Sequence, residues 1–402
     1  MPQRNPPGKP SNLLICSIYP LPETSGTNIR TMHFVRALAK IGNLDLAFTN
    51  RVGLAQLPSS LVAREYHLKT LTYPKSALLR LYNSCRNLPY PMKLFTGNEF
   101  HRMLQAINSG LYSNVVVRYL NNTSILKGVQ KSQSAKVLVD LDDVITQSIY
   151  EMYFETSPSP FQALIRALNK RHVDAYQRQI MHKFRTAFCS ETDLSSHRGE
   201  TKMGCVIPNV YRNDDIGAYN FSDGYKNGNC LLFVGQLAYP PNVEGLKWFI
   251  DNIFKPFSMM YADAKLLVVG MTPSEEIKGV CRRYSTIELH ADVKSLAPYY
   301  DMARAVVVPL LSGGGTRIKI LEAALTGRPV LSTRTGAYGL DLRNGKDILL
   351  FEGLEEFIAG YERLFNEEDY RLLSNGLKNR TLQEYSPARF EDAFYRALDQ
   401  AR

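Results

Sequence analysis

Two α/β domains, each built on a doubly wound parallel sheet, are predicted by three features of the 402-residue sequence. Short β-branched runs alternate with segments of helical period. The alternation stops at a polar, Gly- and Asn-rich stretch and then restarts. The length suits two or three domains, and 45% apolar residues is normal for a globular chain. Alternation of this kind places helices on both faces of a parallel sheet. The reading gives a first domain over 1–207, a linker over 208–229, a second domain over 230–385 and a C-terminal helix over 386–402 that packs back toward the first. Two Rossmann-like domains then face a central cleft, and ligands sit beyond the carboxyl ends of the strands.

The first half opens with a strand in "NLLICSIYP" and a loop, "LPETSGTNIR". A helix follows in "RTMHFVRALAKIG", with Phe34, Leu38 and Ile41 on one face and Gly42 past its end. "LDLAFTN", "SNVVVRYL" and "KVLVDLDD" read as strands, and residues 158 to 185 as a long basic helix. "TAFCSETD" and "GCVIPN" close this half as short strands with their loops. After the linker, strands are expected in "CLLFVGQ", "AKLLVVG", "IELHADV", "VVVPLL", "PVLST" and "DILLF", with helices between and after them.

The net charge of +10 is concentrated in the first half. Residues 1–207 hold 25 Lys and Arg against 13 Asp and Glu, whereas residues 208–402 hold 23 against 25. The basic half expects an anionic partner: phosphate, acidic lipid or nucleic acid. Lys69, Lys75, Arg80, Arg86 and Lys93 are interleaved with Tyr and Leu, and Arg166, Lys170, Arg171, Arg178, Lys183 and Arg185 lie on the long helix. Such basic amphipathic segments can lie on an anionic membrane surface. Nucleic acid is not expected, since no motif of the usual modules occurs. The six cysteines show neither C-x-x-C pairs nor metal-ligand spacing, and the first apolar run lacks a signal-peptide cleavage site. A cytoplasmic protein with reduced thiols, possible at the inner face of a membrane, is the expectation.

The stretch "SGGGTRIKILEAAL" carries the clearest chemistry. Gly313, Gly314, Gly315 and Thr316 lead into a helix, where free N–H groups and the dipole favour an anion such as a diphosphate. Arg317 and Lys319 oppose that dipole, a cost an anion would relieve. Glu322 lies among apolar neighbours, where a carboxylate needs partners that two ribose hydroxyls could supply. In the first half, Asp140, Asp142 and Asp143 cluster at a strand end, as metal ligands, as a general base or as caps. Glu191 sits at another strand end.

"FVGQLAYPPNVEGLKWF", "LLVVG", "ADVKSLAPYYDMARAVVVPL", "GGGTRIKILEAALTGRPVLSTRTGAYGL" and "EYSPARFEDAF" occur in order and resemble the C-terminal domain of glycosyltransferase family 4, the glycosyl transferases group 1. "PLPETSGTNIRTMHFVRALAK", "VLVDLDDV", "CSETDL" and "VIPNVY" resemble its N-terminal domain. The resemblance implies a GT-B fold and a retaining transferase that takes a sugar from a nucleotide-diphosphate sugar to a glycan or lipid-linked acceptor. It implies no resident cofactor and no metal, with the nucleotide sugar as donor substrate. Glu322 matches the second Glu of the family's E-x7-E motif, which holds the ribose. Gly314 stands where the first Glu belongs. Gly235 matches a donor-loop glycine, but Gln236 replaces the usual Arg and "AYPPN" the usual Lys. Arg317 and Lys319 are therefore expected to neutralise the leaving diphosphate, with the backbone of Gly314, Gly315 and Thr316 serving the phosphates and sugar. Gly26 matches the first-strand glycine loop, and Arg118 or Tyr119 occupies the region where many members place a His. The alternatives are another enzyme of this fold, such as a nucleotide-sugar epimerase, and a two-lobed protein that binds sugar nucleotides without catalysis.

Overall fold

The computed structural model describes residues 11–23, 25–71, 89, 92–130, 135–142, 160–211, 221–313 and 316–401. Gly314, Gly315, Asp143, Cys85, Lys75, Arg80 and Arg86 lie outside the described residues. The chain divides into two compact units, Met1–Pro208 with Phe390–Arg402, and Asn209–Arg389.

The first unit is organised on β1 (Ser11–Ile18), whose Leu13, Leu14 and Ile15 are fully buried. A continuous apolar run of this kind suits a central parallel strand covered on both faces. Helix α1 (Gly26–Ile41) is capped by Ser25, whose Oγ accepts from the Asn28 amide at 3.3 Å. It ends at Gly42, whose amide donates to the Leu38 carbonyl at 3.2 Å. The chain then forms β2 (Asn43–Asn50), β3 (Arg64–His67), the short pair β4 (Lys69–Thr70) and β5 (Phe95–Thr96), α2 (Asn98–Asn108) and β6 (Asn114–Arg118). A 3-10 turn over Leu120–Gly128 leads on to β7 (Lys136–Leu141), α3 (Pro160–Lys183), β8 (Arg185–Phe188), α4 (Glu191–Ser196) and β9 (Gly204–Val206).

Among the described residues the sheet has seven strands in the order β3-β2-β1-β6-β7-β8-β9, all parallel. Leu14 of β1 faces Leu46 of β2 on one side and Val116 of β6 on the other. Phe34 of α1 meets Phe390 and Phe394 edge-to-face, with ring centroids 5.0 and 5.2 Å apart. Each fully buried Phe contributes about 1.5–3 kcal/mol to this core.

The second unit runs β10 (Cys230–Gln236), α5 (Pro240–Phe249), α6 (Lys255–Met260), β11 (Lys265–Met271), α7 (Glu275–Cys281), β12 (Ile287–Ala291), α8 (Ala297–Met302) and β13 (Ala305–Val308). It continues with α9 (Ile318–Leu325), β14 (Val330–Ser332), β15 (Leu349–Leu350), α10 (Leu354–Arg363) and α11 (Glu367–Glu384). The final helix, α12 (Pro387–Asp399), carries its last residues into the first unit. The six described strands stand in the order β12-β11-β10-β13-β14-β15, again parallel. Along β10, Leu231 and Phe233 enter one apolar cluster, and Leu232 and Val234 the other. The period-two alternation thus feeds two helical layers at once. Both sheets agree with the α/β class expected from the sequence.

Candidate functional site

In the second unit the chain leaves β10 toward β11 on one side and returns through β13 on the other. The carboxyl ends of β10 and β13 therefore form a topological switch point, where open α/β sheets bind ligands. Gly235, next to last in β10, is paired in register with Gly270. A methyl group added at Gly235 would stand 2.9 Å from Asn242 Nδ2 and 3.0 Å from Lys319 Nζ. Glycine leaves room here for these two side-chain ends, and its backbone is not left-handed.

Asn242, in the first turn of α5, joins the two loops. Its Nδ2 donates to the Gln236 carbonyl at 2.9 Å, and its Oδ1 accepts from Lys319 Nζ at 3.0 Å. The Lys319 ammonium also stands 4.6 Å from the centroid of the Phe233 ring. Burial, followed by the charge of Arg317, pulls Lys319 from an ordinary 10.5 to about 7, against the opposing pull of Glu322. Lys319 has no carboxylate within ion-pair distance among the described residues.

The loop after β13 positions the remaining groups. Gly313 has φ +95, in the left-handed region that favours glycine. The buried Arg317 guanidinium turns back on this loop, donating to the Gly313 carbonyl at 2.5 Å. Arg317 and Lys319, expected to serve one anion together, make different contacts here. Arg317 closes the loop, and Lys319 lies over the Gly235 floor. Thr316 Oγ1 is buried with no hydrogen-bond partner among the described residues. Glu322, one turn into α9, is buried and accepts from the Tyr300 hydroxyl at 3.2 Å. From below, Ser332 Oγ donates to the Val308 carbonyl at 3.0 Å and Thr333 Oγ1 to the Leu310 carbonyl at 2.5 Å. Those bonds fix the end of β13. Of the predicted residues, Gly235, Gly313, Thr316, Arg317, Lys319 and Glu322 all belong to this part of the second unit. Asn242, Tyr300 and Phe233 were missed. Only "PPN" at a helix start offered a signal, because an Asn in a first turn is placed to bond loop groups.

The other calls fall in the first unit. Gly26 is the exposed first residue of α1, and Glu191 the exposed first residue of α4. Asp140 and Asp142 correct a different expectation: neither stands as an open metal ligand or a poised base. Arg30 clamps Asp140 through Nη2 at 2.6 Å and Nε at 3.1 Å. Arg118 reaches Asp140 at 2.9 Å and Asp142 at 2.7 Å. Burial disfavours ionised Asp140, but Arg30 and Arg118 outweigh it and hold its carboxyl below the usual range. Two guanidinium groups thus balance two carboxylates. Arg30 also donates through Nη1 to the Ile207 and Pro208 carbonyls at 2.9 and 3.1 Å. Tyr119 has φ +67, a strained conformation for a non-glycine residue, and its hydroxyl lies 3.0 Å from Thr27 Oγ1 and 3.2 Å from Asp142 Oδ2. No helix among the described residues is long and apolar enough to cross a membrane.

Residues 228–367 match the family model for Glycosyl transferases group 1. A curated relative from Klebsiella pneumoniae, described as an uncharacterized 44.6 kDa protein in the cps region, is 29% identical over 137 residues. That match covers 32% of this chain and 35% of the relative, about a third of its length. Among solved structures, a glycosyltransferase from Rickettsia africae aligns over 98% of both chains with TM-score 0.68 and 13% identity. Sucrose-phosphate synthase from Thermosynechococcus elongatus aligns over 98% of this chain and 99% of its own, with TM-score 0.67 and 15% identity. HepE of Anabaena, in complex with UDP and glucose, aligns over 97% of this chain and 99% of its own, with TM-score 0.65 and 11% identity. At these identities the likeness is one of fold, and the fold is GT-B.

Proposed function

We propose that this chain, whose residues 228–367 belong to the glycosyl transferases group 1 family, is a retaining glycosyltransferase. It moves a sugar from a nucleotide-diphosphate sugar to a glycan or lipid-linked acceptor, without a metal. One observation carries the reading: at the β10/β13 switch point an ammonium with no ion-pair partner among the described residues lies on a glycine floor, on the same short helix as a buried carboxylate. A diphosphate lying over Gly235 meets Lys319, whose charge offsets the negative charge that grows on the leaving group. The Thr316 hydroxyl has a proton to donate to a phosphate oxygen. Glu322, oriented by Tyr300, accepts from the ribose hydroxyls. The acceptor oxygen attacks from the face the diphosphate leaves, and a phosphate oxygen takes its proton. The protein contributes positioning and fixed charge. The UDP and glucose held by HepE support a nucleotide-sugar donor, and the cps-region relative supports a polysaccharide setting. Exposed Leu164 and Leu168 beside exposed Lys170 and Arg171 on α3 support contact with an anionic membrane surface.

The test is a thermal melt of the full chain with UDP, GDP and ADP. At a hundredfold excess over Kd, a bound nucleotide adds about 2.7 kcal/mol. One of the three should raise the melting temperature, and Glu322→Ala should remove most of that rise. No response to any of them, or a full response in Glu322→Ala, would overturn the reading.

A further inference from the structure

The first unit has its own switch point, between β1 and β6, since β1 stands between β2 and β6 in the sheet. A lysine sits there. Lys93 Nζ donates to Ser17 Oγ at the end of β1 and to Thr49 Oγ1 at the end of β2, both at 2.8 Å. Its backbone is pinned to the turn after β6: the Lys93 amide donates to the Asn121 carbonyl at 2.9 Å, and its carbonyl accepts from Ser124 Oγ at 2.5 Å. The sequence suggested a surface stripe for this lysine, but the ammonium is half-buried among hydroxyls.

Its charge is not balanced locally. Among the described residues no carboxylate lies within ion-pair distance of Lys93. The thiol of Cys16, close enough to be felt, is pushed by burial to about 12 and stays neutral. Burial alone pulls Lys93 down, to about 8, so the amine is still mostly protonated at neutral pH. A desolvated cation surrounded by neutral groups is costly unless an anion joins it.

The donors left over point the same way. Thr49 spends its proton on the Ser17 carbonyl at 2.8 Å. Ser17 Oγ accepts twice, from Lys93 and from Asn122 Nδ2 at 3.0 Å. The Asn122 amide cannot be turned to accept instead, because the same Nδ2 donates to the Arg118 carbonyl at 2.6 Å. The Ser17 hydroxyl proton and the third Lys93 N–H therefore have no acceptor among the described residues. Two donors and one positive charge, at a strand-end switch point, make a small oxyanion subsite.

We infer that Lys93 and Ser17 bind an oxyanion, a carboxylate or a phosphate, carried by the acceptor. The inference rests on the transferase reading and adds to it that the acceptor carries an acidic group: a uronic acid residue, or a phosphate on a lipid or glycan.

The experiment is an NMR pH titration of the full chain with 13Cε-labelled lysine. The Lys93 signal is assigned by its loss in Lys93→Arg, which keeps the cation if Lys93→Met fails to fold. Probes are glucuronate, glycerol phosphate and, as the neutral control, glucose. Lys93 should titrate near 8 in the free protein. At least one anion should raise that value by about half a unit or more, a threefold preference for the ammonium form, and glucose should not. A response to glucuronate alone assigns a uronate acceptor, and a response to glycerol phosphate alone a phosphorylated one. A Lys93 titration that neither anion moves, or that Ser17→Ala leaves equally responsive, overturns the inference. Nucleotide melts of the wild type run alongside keep the two readings apart. If UDP, GDP or ADP stabilises the chain while Lys93 ignores both anions, only the acceptor inference fails.

Discussion

Replacing Lys319 with methionine should make the ligand-free protein more stable at low pH while removing its response to nucleotide. The unfolded chain holds this proton up to about 10.5, and the folded chain releases it near 7. Below pH 7 both states carry the charge, and the folded state bears the full cost of desolvating it. Between 7 and 10.5 the unfolded state binds more protons, so stability rises with pH, and above 10.5 the cost is gone. The gap corresponds to about 5 kcal/mol at 1.36 kcal/mol per pH unit. This is an upper bound, because the hydrogen bond to Asn242 and the face of Phe233 both favour the ammonium. Methionine fills a similar volume without the charge. At pH 6 the variant should melt above wild type by up to that amount, and by pH 9 the advantage should shrink to about 2 kcal/mol at most. Scanning fluorimetry at pH 6, 7.5 and 9, with and without UDP, reads both effects. A variant that is less stable than wild type by the same margin at every pH, or that keeps the full UDP shift, refutes the reasoning.

The paired glycines separate stability from function. A methyl group at Gly270 would stand 1.7 Å from the Gly235 carbonyl oxygen, a backbone atom. Gly270→Ala should therefore cost about 3 kcal/mol or more in thermal melts, a clash the sheet cannot relieve locally. Gly235→Ala meets only side-chain ends, Asn242 Nδ2 and Lys319 Nζ. It should melt within about 1 kcal/mol of wild type but lose more than about tenfold in donor turnover, measured as slow hydrolysis of the nucleotide sugar. Asp140→Asn leaves Arg30 and Arg118 short of a buried partner and should cost about 3–5 kcal/mol at neutral pH. Asp140 titrates below its unfolded value, so its contribution is present above about pH 3.9 and is lost as pH falls through the folded value. Acid unfolding curves of wild type and variant should converge below that range.

The two sheets were legible because β-branched runs and helical spacing are local signals, and the glycine loop with Glu322 was legible because five motifs stand in order. Pairing over distance was not legible. Arg30 and Asp140 are 110 residues apart, and no spacing rule joins them. Asp140 and Asp142 therefore read as ligands, a base or caps when Arg30 and Arg118 already met them. Lys93 failed for a related reason: among Tyr and Leu it resembles a solvated basic face, and its burial comes from β1, β2 and the turn after β6 closing round it. Arg317 and Lys319 are two residues apart and so point different ways from a helix start. Sequence proximity suggested one shared anion, and the structure adds that Arg317 bonds its own loop while Lys319 bonds Asn242.

The return of Phe390–Asp399 to the first unit bears on how the protein is made. Phe34 packs its ring against Phe390 and Phe394, and the Ala37 carbonyl accepts from the Tyr395 hydroxyl at 3.1 Å. A ribosome that has just finished β9 has still to synthesise the whole second unit before those partners emerge. At roughly 5–20 residues per second the delay is on the order of 10–40 s, during which the nascent first unit presents an uncovered aromatic face. Completion of that unit therefore waits on synthesis of the second unit, and Phe34 stays without its aromatic partners until then.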